Sequence, residues 1–140
     1  SSAASDVYKR QISIGYNGMP SGWENDCENK VYMSGDAGGW LDVDDIEKRW
    51  PLEDDTGRYN WKSKPEVLHA ESNAIAKLAK STESGADATM FITHSPCLDC
   101  AKLIYQSGIN SVIYRNSYRS EAGIQFLTKS GVRVEKLEGN

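Results

Sequence analysis

Helical and strand-like hydrophobic patterns alternate along the second half of the chain, and this alternation constrains the possible folds more than any other feature. Three segments have apolar side chains at helical spacing: 66–80, 95–107 and 119–129. Three short apolar runs separate and follow these segments, and they predict strands: 89–93, 111–115 and 132–137. This order predicts an α/β fold, namely a three-layer α/β/α sandwich with a mixed sheet whose C-terminal strands are parallel.

The beginning of the chain is less regular. Residues 1–10 have neither a helix nor a strand pattern and are predicted to form a loose terminus. The alternation at 11–14 predicts a short strand that leads into a turn-rich loop at 15–22. The Asn17-Gly18 pair in this loop is also typical of a plain hairpin turn, so that interpretation stays open.

Residues 23–65 form a distinct acidic segment. Between 24 and 58 there are eleven acidic and four basic residues, and the segment shows no sustained periodicity. Its four tryptophans have large apolar side chains that usually cover other groups. We therefore expect an acidic insertion that packs over a core built elsewhere, with a short helix near Val43–Arg49, within a single domain of residues 1–140.

Charge and cysteine content narrow the possible functions. The net charge of −4 provides no general basic surface for a phosphate polymer, which disfavours nucleic acid as a partner. No apolar stretch approaches the length of about 20 residues that a membrane span needs, and no secretory leader is recognisable, so we expect a cytoplasmic protein without a membrane partner. Three cysteines do not suit a disulfide framework and favour metal binding or catalysis.

Two of these cysteines lie at the start of a predicted helix. Cys97 and Cys100 are three positions apart and therefore share one helix face, in a first turn that lowers thiol pKa values. Two thiolates and one imidazole are a typical ligand set for Zn²⁺. His69 lies near the start of another predicted helix. Because successive helices begin along the same edge of a parallel sheet, we expect His69 to meet the cysteine pair.

Three protein ligands leave one tetrahedral position open, which is typical of a catalytic zinc site. Zinc lowers the pKa of water toward neutrality, and Glu71, two residues beyond His69, is placed to transfer protons. Each motif alone is weak evidence, but together they match the H-x-E and P-C-x-x-C pattern of zinc-dependent nucleobase deaminases. The alternative is a structural zinc site with Cys27 as its fourth ligand, which would leave Glu71 and Pro96 unexplained.

On these residues the chain resembles the cytidine and deoxycytidylate deaminase superfamily, and within it the deoxycytidylate (dCMP) deaminases. The resemblance covers roughly residues 11–137. It depends on three motifs: Gly15-Tyr16-Asn17-Gly18-Met19-Pro20-Ser21-Gly22, His69-Ala70-Glu71-Ser72-Asn73-Ala74-Ile75 and Ser95-Pro96-Cys97-Leu98-Asp99-Cys100-Ala101-Lys102. The first two motifs together indicate the mononucleotide enzymes rather than the nucleoside or polynucleotide enzymes.

The resemblance implies a role for each matching residue. His69, Cys97 and Cys100 would bind one catalytic Zn²⁺, and Glu71 would transfer protons in the hydrolytic deamination of dCMP to dUMP and ammonia. The fold would be the cytidine-deaminase-like version of the sandwich. The implied substrate-binding residues are Asn17, His94, Ser95 and Tyr118.

The resemblance also implies regulation and assembly. The loop of Gly15, Tyr16, Asn17 and Gly18 is associated with allosteric control by dCTP and dTTP, and Mg²⁺ would accompany the allosteric nucleotide. The subunits would form a homo-oligomer, by resemblance a hexamer. Arg115 and Arg119 are candidates for the 5′-phosphate, although ordinary surface positions explain them equally well.

One departure from the family concerns the start of the chain. Family members begin with a helix and a first strand that pairs with the strand preceding this loop, and both are expected to be missing here. Two other functions therefore stay open. One is a zinc deaminase that acts on a nucleoside or on a base in tRNA or single-stranded DNA, and the other is a truncated, noncatalytic zinc-binding domain.

Overall fold

The computed structural model describes residues 2–6, 8–35, 39–118 and 120–138. The chain divides into two compact units, one of residues 1–18 and 68–140 and the other of residues 19–67. In chain order the elements are β1 (Ser2–Ser5), β2 (Gln11–Gly15), β3 (Glu28–Tyr32), α1 (Val43–Arg49), β4 (Leu52–Asp54), β5 (Gly57–Ser63), α2 (Ala70–Ala79), β6 (Thr89–His94), α3 (Leu98–Gln106), β7 (Ser111–Asn116), α4 (Ala122–Lys129) and β8 (Arg133–Lys136). Over the described ranges, the helices are too short or too polar to cross a bilayer.

The first unit contains a five-stranded mixed sheet in the order β2-β1-β6-β7-β8. Strands β6, β7 and β8 are parallel, whereas β1 is antiparallel to both β2 and β6. The pairing aligns Met90 with Val112 and Val112 with Val134, so these three residues share one face of the sheet. The predicted α/β fold with parallel C-terminal strands is therefore confirmed.

The hydrophobic core lies between the sheet and the helices α2, α3 and α4. Met90 and Val112 are fully buried there, together with Ile104 of α3 and Leu127 of α4. Phe91, whose side chain points to the opposite face, is 45% exposed. Within the described part of the first unit, α2, α3 and α4 thus cover the same face of the sheet.

The prediction for the beginning of the chain is wrong. Residues 2–5 are not a loose terminus, and the strand predicted to be missing is present as β1, between β2 and β6. Alanine and serine produce no recognisable hydrophobic pattern in such a short segment. β1 is held by backbone hydrogen bonds to a strand on each side, so small side chains are sufficient there. One of them, Ala4, is 1% exposed.

The second unit contains the predicted helix at Val43–Arg49, together with a sheet that the sequence did not predict. Asp42 caps this helix by accepting a hydrogen bond from the Asp45 N–H at 2.9 Å. Strands β3, β5 and β4 form a three-stranded antiparallel sheet. β3 is exposed along its whole length, which explains why no strand periodicity was visible. Residues 36–38 of this acidic segment lie outside the described residues.

Polar and aromatic contacts across the strands hold this sheet. The Lys30 ammonium donates to the Asp54 carboxylate at 2.8 Å and lies 4.5 Å from the centre of the Tyr59 ring. Tyr32 packs on Tyr59, with ring centres 5.6 Å apart, and donates its hydroxyl to Asp54 at 2.8 Å. Cross-strand contacts of this kind stabilise a sheet.

Candidate metal centre

The loop after β2 determines where α2 begins. Gly18 and Leu68 exchange two backbone hydrogen bonds, of 3.1 and 2.8 Å, which hold Leu68 in an extended conformation. The helix predicted from residue 66 therefore begins at Ala70, and His69 is its N-cap residue. β2 also approaches α2 closely, because a side chain at Gly15 would overlap the Ala70 carbonyl and lie 2.6 Å from the Ala74 nitrogen. The backbone position of His69 is thus fixed by the loop that follows β2.

The turn before α3 positions the two cysteines. Cys97 is the N-cap residue of α3, and its Sγ accepts a hydrogen bond from the Cys100 N–H at 3.5 Å. The helix therefore begins at Leu98, two residues after Pro96. Behind this turn lies Gly123 of α4, where a side chain would overlap the Pro96 carbonyl and come within 3.0 Å of the Cys97 carbonyl. The cysteine turn rests directly on the α4 backbone.

These two helix starts bring the three predicted metal ligands together. The Nδ1 atom of His69 lies 3.6 Å from Cys97 Sγ and 3.4 Å from Cys100 Sγ, and the three donor atoms all lie within 4.8 Å of one another. Zn–S bonds of about 2.3 Å and Zn–N bonds of about 2.0 to 2.1 Å in a tetrahedral site place nitrogen and sulfur about 3.6 Å apart. The donor set and its spacing therefore fit Zn²⁺, and soft sulfur ligands disfavour Mg²⁺ or Ca²⁺ at this position.

The two thiols share one proton in the protein without a metal. The hydrogen bond from the Cys100 thiol, with smaller contributions from the Cys100 N–H and the His69 ring, lowers the pKa of Cys97 to about 5. The pKa of Cys100 is raised above its usual range by the same hydrogen bond, by burial and by the negative charge of Glu71. The shifts therefore favour the thiolate form of Cys97, and the Glu71 carboxylate lies close enough to the Cys100 thiol to contribute to its shift.

The structure also places the predicted substrate-binding residues. His94 is exposed at the end of β6, and Tyr118 is 51% exposed. Ser95 between them is buried, with its N–H bonded to the Asn116 carbonyl at 2.8 Å and its Oγ accepting from the Tyr118 N–H at 2.7 Å. The Ser95 N–H is thus already hydrogen-bonded within the protein and cannot also donate to a substrate. The hydroxyl instead holds the backbone of Tyr118.

Asn17 also has an internal partner. Its Oδ1 accepts a hydrogen bond from the Ala70 N–H at 2.7 Å, which occupies one of its two acceptor sites, and the Nδ2 hydrogens are left for a substrate. Cys27, the alternative fourth ligand, belongs to the second unit, where its thiol lies 3.8 Å from Asn25 Oδ1. Arg119, predicted both to begin the third helix and to contact a phosphate, lies outside the described residues, and α4 begins at Ala122.

Two residues that matter for the centre were not predicted. Asn73 donates from Nδ2 to the Tyr16 carbonyl at 2.7 Å and so ties the loop to α2. Asn73 belongs to the family motif of residues 69–75, and this membership could have marked it as a residue important for the site. Gly123 could have been suspected because glycine is unfavourable inside a helix unless something packs closely against it.

The fold and the donor set together define a zinc-binding α/β protein with a carboxylate beside the metal ligands. The sequence model of the cytidine and deoxycytidylate deaminase zinc-binding region matches residues 3–116, and the chain belongs to this family.

Individual relatives agree with this assignment. The chain is 38% identical over 131 residues to the deoxycytidylate deaminase of Enterobacteria phage T4, a match that covers 78% of this chain and 63% of the relative. It is 32% identical over 131 residues to the ComE operon protein 2 of Bacillus subtilis (strain 168), covering 93% of this chain and 56% of the relative. The chain thus spans less than two thirds of the length of these curated relatives.

A solved structure is similar over nearly the whole chain. It is the crystal structure of the dCMP deaminase from the cyanophage S-TIM5 in complex with dCMP and dUMP. The match has a TM-score of 0.68 and 37% sequence identity, and it covers 98% of this chain and 81% of that chain.

Proposed function

We propose that this chain catalyses the hydrolytic deamination of dCMP to dUMP and ammonia. The observation that carries the proposal is the meeting of His69 Nδ1 with the sulfurs of Cys97 and Cys100, with Glu71 beside Cys100. The cyanophage relative, which is similar over nearly the whole chain, is bound to dCMP and dUMP.

In this proposal His69, Cys97 and Cys100 hold one Zn²⁺. When bound, zinc supplies a Lewis acid that lowers the pKa of water to near neutrality. Glu71 accepts a proton from the attacking water and delivers it to N3 of cytosine as the oxygen bonds to C4. Glu71 then transfers the second proton of the water to the exocyclic amine, the C4–N bond breaks, and ammonia leaves.

Four residues are proposed to bind the nucleotide. The Nδ2 hydrogens of Asn17 and the ring of His94 face no protein partner among the described contacts, and they would contact the sugar or the base. The ring of Tyr118 would lie against the substrate. Its backbone is held by the hydrogen bond of 2.7 Å from the Tyr118 N–H to the Ser95 Oγ. The Ser95 carbonyl is the backbone group of that residue that stays available to the base.

Regulation, assembly and location are further proposals that rest on the likeness to the family. Gly15, Tyr16, Asn17 and Gly18 would form an allosteric loop that responds to dCTP and dTTP, with Mg²⁺ accompanying the nucleotide. Tyr16 is 60% exposed, which leaves its ring accessible to a base. The chain would act as a hexamer in the cytoplasm and supply dUMP as the precursor of dTMP.

The proposal is tested by measuring ammonia release from zinc-loaded protein offered dCMP, deoxycytidine and tRNA separately. We expect turnover with dCMP and much slower release from the other two. The Glu71→Gln variant should retain zinc but lose turnover by at least about 100-fold, because it can no longer transfer protons. Glu66→Gln, at an exposed position nearby in sequence, is the matched control and should keep full activity. Normal turnover by Glu71→Gln, or equal rates with deoxycytidine, would contradict the proposal.

A further inference from the structure

We propose that Asn17 is the helix cap of α2 and that it positions the metal ligand His69. The inference rests on the proposed function, in which His69 binds zinc. It gives Asn17 a positioning role in the metal centre that is separate from any contact with the substrate.

The need for an external cap follows from the metal centre itself. An N-cap side chain usually accepts a hydrogen bond from an N–H in the first turn of its helix. Asp42 and Cys97 do so for α1 and α3. His69 makes no such bond for α2, and its Nδ1 instead faces the two sulfurs. A histidine that serves as a metal ligand therefore leaves its own helix uncapped.

Asn17 supplies the missing acceptor from a neighbouring loop. Its Oδ1 accepts from the N–H of Ala70, the first residue of α2, at 2.7 Å. On the other side of His69, Leu68 is bonded twice to Gly18. The loop is in turn held by Asn73, which donates to the Tyr16 carbonyl. The backbone on both sides of His69 is thus fixed by residues 16–18.

The capping role and a substrate contact use different atoms of Asn17. Capping uses the acceptor Oδ1, whereas the Nδ2 hydrogens are the donors that a substrate contact can use. Asn17→Asp keeps the acceptor and loses the donor, and the added charge is favourable at a helix N-terminus. Asn17→Ala removes both the acceptor and the donor. The two substitutions therefore separate the two roles.

Loss of the cap should weaken zinc binding, because part of the binding energy must then order the start of α2. For Asn17→Ala we expect Zn²⁺ affinity to fall by about five- to tenfold, the effect of losing one helix cap. Asn17→Asp should bind Zn²⁺ at least as tightly as the unsubstituted protein. The matched control is Asn25→Ala, since Asn25 Oδ1 accepts from the Met19 N–H at 3.2 Å but caps no helix. This control should leave zinc affinity unchanged.

The measurement is competition for Zn²⁺ against a chromophoric chelator, without nucleotide, together with the thiolate-to-cobalt absorption of the Co²⁺-loaded proteins. Weak binding by the Ala variant combined with normal binding by the Asp variant supports the cap. Equal affinity of the Ala variant and the unsubstituted protein, or weak binding by both variants, overturns it.

Two further outcomes are decided separately. If Asn17→Ala does not fold, amide hydrogen exchange of Ala70 in the unsubstituted protein decides, since a capped N–H is protected and an uncapped one exchanges rapidly. If the unsubstituted protein binds no zinc, the proposed function fails as well. If it binds zinc and deaminates dCMP while Asn17→Ala retains full zinc affinity, only the capping role fails.

Discussion

The contact between α4 and the cysteine turn leads to an unusual expectation for Gly123→Ala. Replacing glycine by alanine inside a helix ordinarily stabilises a protein by about 1 kcal/mol. At this position the new Cβ would overlap the Pro96 carbonyl and lie 3.0 Å from the Cys97 carbonyl. Both contacted groups are backbone, so they cannot be relieved by a change of rotamer.

The net effect can be worked out from these two opposing terms. Overpacking of a buried site costs about 1 to 3 kcal/mol, and the upper end applies where backbone must move. After subtracting the helix gain, we expect the free energy of unfolding to fall by about 2 kcal/mol. At about 4 °C per kcal/mol for a domain of this size, the melting temperature should fall by about 8 °C. Because Cys97 moves with the turn, zinc affinity should fall at least about tenfold.

The assay combines thermal unfolding of the metal-free protein with zinc competition. Gly39→Ala is the matched control, because it adds the same methyl group where nothing lies within 4 Å. It should change neither quantity. A Gly123→Ala protein that is more stable than the unsubstituted protein and binds zinc normally would show that the cysteine turn does not depend on α4.

Two other predictions concern the substrate loop and the second unit. Ser95→Ala removes the 2.7 Å hydrogen bond from the Tyr118 N–H and should lower the free energy of unfolding by about 1 kcal/mol. It should also raise KM for dCMP and leave the zinc content unchanged. An unchanged KM would argue against a substrate contact by Tyr118. In the second unit, hydrogen bonds from Lys30, and next from Tyr32, lower the pKa of Asp54. The stabilisation is therefore complete above the unfolded carboxyl pKa of about 3.9 and is lost as the pH falls below it. Near-ultraviolet circular dichroism of the tyrosine and tryptophan cluster should follow this loss, and Asp54→Asn should show no such transition between pH 4 and pH 2.

The elements that could be predicted from the sequence are those stabilised by burying apolar side chains in the core. Strands β6 and β7 and the helix α3 have apolar residues in the core, so their periodicity is visible in the sequence. β1 and the sheet of the second unit were missed for a physical reason. β1 consists of small residues stabilised by hydrogen bonds from two neighbours, and β3 is exposed along its length.

The clustering of His69, Cys97 and Cys100 was predictable from the sequence, but the contacts that support the cluster were not. Two cysteines at one helix start and a histidine at another can be recognised from residue type and spacing, because the topology of a parallel sheet brings helix starts together. The contacts of Asn17 with Ala70 and of Gly123 with Pro96 join segments far apart in the chain. Such contacts leave no pattern in the local sequence. The predicted role of Asn17 in binding substrate gave no indication that its Oδ1 accepts a hydrogen bond from Ala70.

X-ray absorption of the zinc-loaded protein, with the zinc content per chain, tests the central claim most directly. A site made by His69, Cys97 and Cys100, with water in the fourth position, predicts one zinc per chain. The zinc should have two sulfur ligands at about 2.3 Å, and one nitrogen and one oxygen ligand at about 2.0 to 2.1 Å. Three sulfur ligands would mean that Cys27 completes a closed structural site, and the absence of bound zinc would mean that the three side chains do not form a metal centre.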